Sequence, residues 1–154
     1  MKKMKAQDKE EEELRRLLIE SEILEGTLTT LRQRLSLIEA SITESRMAAE
    51  TLQGVKSEKR GAEILVPIGG GSFVKARIED NERVIVGIGA DVSVEKTIDE
   101  AIKDFEERLG DLEKTRQSVE QQFLQVSQRL EADRERLSEI LKAREGETRP
   151  VRTP

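Results

Sequence analysis

Gly69-Gly70-Gly71-Ser72 and the carboxylates Glu20 and Asp133 come nearest to a chemical site in this 154-residue chain. A triple glycine lets backbone amides approach an anion, as phosphate loops do. This one lacks the Lys and Ser/Thr of a Walker loop, lacks dinucleotide spacing and does not open a helix, so it reads as a turn. Asp133 falls at a helix seam position, where a polar residue commonly fixes register. Glu20 is the one carboxylate expected near it, and a thin two-helix seam offers no pocket for acid-base work. With no His and no Cys there is no imidazole base, thiol nucleophile, disulfide or thiolate metal site. No catalytic, cofactor-binding or metal-ligating residue is therefore assigned, and the chain is expected not to be an enzyme and to need no cofactor.

Such a composition suits a different kind of protein. Charged residues make up 38% and aromatics 2%, which leaves Leu, Ile and Val to form a thin helical seam in place of a deep core. The net charge is -5, with twelve basic and twelve acidic residues over 1–61, three and six over 62–95, and twelve and fourteen over 96–154. Without a basic stripe or an aromatic stacking platform, nucleic acid is a poor partner. No apolar run approaches the roughly 20 residues that span a bilayer, and Met1-Lys2-Lys3-Met4-Lys5 leads into Glu10–Glu13, not an apolar signal core. A soluble, cytoplasmic chain without membrane contact is expected.

The elements follow from periodicity. Leu14, Leu17, Ser21, Leu24, Leu28, Leu31, Leu35, Ile38, Ile42, Ser45, Ala49 and Leu52 alternate spacings of three and four, the seam of a left-handed coiled coil. Leu18, Ile19 and Ile23 lie outside that seam at heptad positions e, f and c, widening the apolar set into either a broad stripe or a sticky distal tip. A charged end, Lys56 to Arg60, and Gly61 close this arm. Thr97-Ile98-Asp99-Glu100 fits a capping box that opens a second helix. Its seam runs Ile98, Ile102, Phe105, Leu109, Leu112, Arg116, Val119, Phe123, Val126, Leu130, Asp133, Leu137 and Ile140. Each arm is about 45 residues, or about 65–70 Å at the helical rise. Antiparallel pairing in which partners' numbers total 154 matches every seam residue, sets small Ala49 against Phe105 and Ser21 against Asp133, and leaves Arg116 to reach towards Glu39.

Between the arms, strands are expected at Ala62–Ile68, Phe73–Glu79, Arg83–Ile88 and Asp91–Lys96, joined as two hairpins by Gly69–Ser72 and Gly89-Ala90 with Asp80-Asn81 between them. In the second strand Val74, Ala76 and Ile78 face one way and Phe73, Lys75 and Arg77 the other. Isolated hairpins are marginal in water, so the segment is expected to be an assembly surface. Its candidate oligomerisation residues are Ile64, Leu65, Val66 and Ile68, then Phe73, Val74 and Ile78, then Val84, Ile85, Val86 and Ile88, then Val92 and Val94. The fold class is α+β: a long antiparallel two-helix coiled coil with two β-hairpins at the connecting end. The domains are an arm over 1–61, a double hairpin over 62–96, an arm over 97–145, and a disordered tail over 146–154.

The wording ILVPIGGGSFVKARI followed by VIVGIGADVSVEKTIDEAI resembles the archaeal prefoldin alpha subunits, most specifically in Val66-Pro67-Ile68-Gly69, Gly71-Ser72-Phe73 and Val86-Gly87-Ile88-Gly89-Ala90. The resemblance implies a chaperone hexamer of two alpha and four beta subunits. Alpha hairpins, in contact with each other, would build a shared double β-barrel platform from which the coiled coils hang. It further implies ATP-independent holding of unfolded polypeptides at the arm ends and their delivery to a group II chaperonin. Carried over by position, the client-binding tip comprises Leu14, Leu17, Leu18 and Ile19 with Leu137, Ile140 and Leu141. Arg15, Arg16, Arg134 and Arg136 are candidates for chaperonin docking, or simply a solvated face. The competing reading is an architectural spacer or adaptor that binds one folded partner, against which the apolar Leu18 and Ile19 argue.

Overall fold

In a computed structural model that describes residues 5–148, the order is α1 (Ala6–Ser57), β1 (Glu63–Gly69), β2 (Ser72–Arg77), β3 (Arg83–Gly89), β4 (Val92–Thr97) and α2 (Ile98–Thr148). The helices have 52 and 51 residues, longer than the arms expected from their seams. At the C-terminal end, α2 continues through Gly146 to Thr148, where a disordered tail was expected. Once a helix exists, each further residue adds a hydrogen bond without a new nucleation cost, and that tolerates one glycine. Arg144 also ties this end to α1, its Nε donating to Glu10 Oε1 at 3.3 Å. The rest of the expected tail, 149–154, lies outside the described residues.

The chain divides into two compact units, one drawn from Met1–Leu37 with Gln117–Pro154 and the other Ile38–Arg116. In the first, Leu17, Ser21, Leu31, Val119, Leu130, Asp133 and Ile140 are buried and the remaining seam residues are half-buried. Ion pairs flank this seam where an antiparallel coil requires them. Glu13–Arg136 and Glu20–Arg129 join g positions at 2.8 Å, their numbers totalling 149, and Glu25–Arg134 joins e positions at 2.6 Å, totalling 159. Those totals bracket 154, the value expected for the seam. In the second unit Ile38, Ile42, Ser45, Ile98, Ala101 and Ile102 are buried, and the e-position pair Arg46–Glu113, at 3.9 Å, again totals 159. Arg116 does not extend to Glu39 as expected. Its Nη2 meets Glu113 Oε2 at 2.7 Å, because a carboxylate three residues back on the same helix face is reached without crossing the seam.

The polar layer in the first unit has an energetic consequence. Asp133 is 3% exposed, its Oδ2 has no hydrogen-bond partner, and its Oδ1 lies 3.5 Å from Arg129 Nε, which is shared with Glu20. Buried ionic groups of this kind are often less stabilising than apolar residues of similar volume. Asp133→Leu should therefore raise the melting temperature of the arm, by about 1–3 kcal/mol of stability. An unchanged or lowered melting temperature would show the carboxylate to be a net stabiliser.

β1 pairs with β2 and β3 with β4, both antiparallel, as two separate two-stranded sheets. Gly70 and Gly71 both have positive φ (59° and 72°), the geometry of a tight hairpin turn whose twist matches the strands. In the second hairpin Ala90 and Asp91 adopt the same conformation (φ 49° and 58°), at a steric cost glycine would avoid. The two hairpins are copies displaced by 20 residues. Glu63 faces Arg77 as Arg83 faces Thr97, and the register shifts at Pro67/Gly69 and again at Gly87/Gly89. Ile78 N donates to Ala62 O at 2.9 Å, and Ile98 N to Glu82 O at the same distance. Strand patterning alone does not bring out this repeat, which emerges from the matched registers.

Turn chemistry fixes the connections. Asp80 Oδ1 accepts from the amides of Glu82 (2.8 Å) and Arg83 (3.2 Å), turning the chain into β3. Arg60 Nε donates to Glu79 O, and Asn81 Nδ2 to Glu58 O, so the end of α1 is held to the same turn. At α2 the Thr97 hydroxyl accepts from Glu100 N at 3.2 Å, as an N-cap should.

Candidate functional site

Helical spacing decides which apolar residues hold α1 to α2 and which remain open. Of the seven tip candidates, Leu17 and Ile140 are buried in the seam, and Leu14 and Leu137 are half-buried there. Leu18, Ile19 and Leu141 are 54%, 53% and 50% exposed. The seam residues present little to a ligand while the helices stay paired. Ile23 at 63% is exposed too and, four residues beyond Ile19, falls on the same side of α1. It belongs with the open set although it is not among the seven, and its c position was the available signal. Leu18 and Leu141 total 159, which makes them the e-position partners one heptad outward from Glu25–Arg134. An ion-pair position has here become an apolar flank.

Around that flank the charges are tightly organised. Arg136 donates to Glu13 from Nε and Nη2, and Arg129 Nε donates to Glu20, which leaves these arginines engaged within the arm. Hydrogen bonds from Arg136 and Arg129 hold the Glu13 and Glu20 carboxyls below the ordinary glutamate value. The same contacts raise both guanidinium groups. Two backbone amides lower Asp80 likewise. A carboxyl whose folded pKa is depressed stabilises the fold above its unfolded pKa and loses that contribution as pH falls through the folded value. The melting temperature should therefore drop as pH is taken from 7 to below about 4, and Glu13→Gln with Glu20→Gln should flatten that acid limb. An acid limb identical in the double variant would remove these pairs from the account.

The other open surface is on the hairpins. Ile64, Val66, Ile68, Val74 and Ala76 share one face of β1–β2; Val84, Val86, Ile88 and Val94 repeat the first four of them on β3–β4, where Val92 joins the apolar set and Lys96 stands in place of Ala76. Val66, Ile68, Val74, Ile88 and Val92 are exposed, as are Leu65, Phe73 and Ile85 on the opposite faces, with Ile85 at 79%. Ile64, Val84 and Val94 are half-buried, whereas Ile78 and Val86 are buried within the single chain. In the second unit an apolar cleft of about 440 Å³ lies among Met47, Thr51 and Leu52 of α1, Val84–Gly87 of β3, and Phe105 of α2. Two-stranded sheets with apolar faces and open edges call for pairing or cover. Among the described residues no cluster of three or more acidic, His or Cys side chains is arranged to hold a metal ion. No helix among them is long and apolar enough to cross a membrane.

Comparison with known proteins agrees with this architecture. The sequence profile of the Prefoldin family, described as prefoldin subunit, matches residues 24–143. The chain is 42% identical over 123 residues to prefoldin subunit alpha of Methanopyrus kandleri, covering 80% of this chain and 78% of that one. It is 35% identical to the prefoldin subunit alpha of Pyrococcus horikoshii, covering 77% and 80%. Among solved structures, filamentous prefoldin from Methanocaldococcus jannaschii matches with a TM-score of 0.61 at 26% identity, covering 72% of this chain and 92% of that one. With two long helices, two hairpins between them and a family match across most of its length, this chain belongs to the prefoldin family and is a chaperone subunit of it.

Proposed function

We propose that this chain is the alpha-type subunit of a cytoplasmic hexamer with two alpha and four beta chains, which holds unfolded polypeptides without ATP and passes them to a group II chaperonin. It performs no catalysis. The hairpin faces form a shared barrel platform with the other subunits, alpha chains touching through the β segment. The end of the arm that carries Leu18, Ile19, Ile23 and Leu141 meets the client. The observation that carries this reading is that exposed apolar strip, outside the seam and unnecessary to it. Several such strips on separate arms give weak linked contacts whose avidity exceeds any single one, and release then needs no chemical step.

The reading is tested with the complex reconstituted from this chain and beta subunits. Its mass should be that of a heterohexamer, and it should suppress aggregation of a chemically unfolded protein in the absence of nucleotide. Removal of the arm ends should abolish that suppression and leave the number of subunits in the complex unchanged. Saturable binding to one native protein, with indifference to unfolded ones, would instead identify an architectural spacer.

A further inference from the structure

The 20-residue repeat copies the hairpin backbone and inverts the charge at two of its positions. Glu63 on β1 corresponds to Arg83 on β3, and Lys75 on β2 corresponds to Glu95 on β4. All four side chains are exposed and lie on the same face of their hairpins, opposite the face that carries the valines. Arg77, beyond Lys75, corresponds to uncharged Thr97, and Lys96 of β4 lies on the other face, paired with Asp104, so on this face β2 is basic where β4 is acidic. Within its own hairpin Glu95 meets Arg83 at 3.4 Å, and both side chains remain more than half exposed. Each hairpin is a sheet of two strands, so each strand has one edge without a partner among the described residues.

We infer that Lys75 and Glu95, with Glu63 and Arg83, are the residues that match the first hairpin of one chain to the second hairpin of another copy. The inference rests on the proposed assembly through the β segment and adds its pairing rule. Opposite charges facing each other across adjacent strands are favourable, and like charges there are destabilising. When like edges meet, the first hairpin against another first hairpin brings Lys75 to Lys75 or Glu63 to Glu63. The second against the second brings Glu95 to Glu95 or Arg83 to Arg83. First against second brings Lys75 to Glu95 or Glu63 to Arg83. The charges thus penalise both same-hairpin pairings and favour the cross-hairpin one, which is how an interface excludes a wrong partner of the same shape. Two copies related by a two-fold axis make this contact twice, first to second and second to first, and the arrangement closes. Pairing of unlike edges, β1 against β2 of another copy, would instead set Glu63 beside Lys75 in a head-to-tail contact, which closes into a ring or, where the rotation does not close, grows into a filament.

The test is complementation between two chains. Lys75→Glu and Glu95→Lys are prepared separately, reconstituted with beta subunits, and followed at low salt by native mass and by the concentration at half assembly. Each variant alone places like charges at both symmetric contacts, so half assembly should need about tenfold more protein. In an equimolar mixture, one contact sets the new carboxylate of the first variant against the new ammonium of the second, and the other contact keeps the original Lys75–Glu95 pair. Both contacts are then of opposite sign, and assembly should return to within about twofold of the unaltered chain. Rescue in the mixture is decisive because each chain keeps its own altered within-hairpin pair. Single variants that assemble like the unaltered chain would overturn the charge rule while leaving the platform intact. Variants that stay weak on mixing would place the effect inside the hairpin and overturn it as well. Open filaments of the unaltered complex would establish head-to-tail pairing in its place. An unaltered chain that associates neither with itself nor with beta subunits would refute the assembly on which the rule depends.

Discussion

Replacing Leu18, Ile19 and Ile23 together with glutamate should all but abolish the ability of the complex to keep an unfolded protein from aggregating, with its mass and helicity unchanged. The three residues occupy e, f and c positions and are each more than half exposed, so the seam does not depend on them. Glutamate is also a good helix former, and α1 should persist. Covering an exposed Leu or Ile side chain contributes about 1.5–3 kcal/mol. Even half of that from three residues exceeds about 2 kcal/mol per arm, which is more than tenfold in affinity before linkage between arms multiplies it. Leu17→Glu makes the contrasting control. Leu17 is 5% exposed, and a carboxylate in that seam should melt the arm and lower helicity. Client protection that survives the triple variant would move the binding surface away from this strip.

The second large effect is expected at Val74. It stands opposite Val66 on the apolar face of the first hairpin and is 48% exposed in the single chain. Val74→Glu should leave the helices and hairpins of the isolated chain intact, because its side chain is already in contact with water. In a closed barrel that face points inward, and an unpaired carboxylate there costs several kcal/mol, repeated in each alpha chain. The hexamer should therefore fail to form at micromolar concentration. Native mass together with circular dichroism separates this outcome from unfolding. A hexamer of normal stability would mean that the apolar face is not the barrel interior.

These surfaces divide what one-dimensional pattern can encode from what it cannot. Spacings of three and four placed every seam residue of both helices in a buried or half-buried position, because helical geometry brings residues so spaced to one side whatever the rest of the chain does. The Thr97 cap and the glycine turn of the first hairpin are local in the same sense, and both were legible. The partner of Arg116 was not, since a long side chain chooses among several carboxylates by distances that exist only once the helices are packed. Nor was the end of α2, where propagation from a formed helix and the Glu10–Arg144 contact outweigh one glycine. The tip showed both sides of this limit. The apolar residues could be counted in the sequence, but only pairing of the helices separated Leu17 and Ile140, which hold the arm closed, from Leu18, Ile19, Ile23 and Leu141, which remain open. The hairpin repeat was present in the letters, yet its meaning depended on register. Only the backbone pairing put Lys75 and Glu95 at equivalent edges with opposite sign. Sequence by itself determined the periodic elements and the turns and cap between them, through contacts between near neighbours along the chain, while tertiary structure decided where α2 ends and which apolar and charged side chains those elements left for a partner.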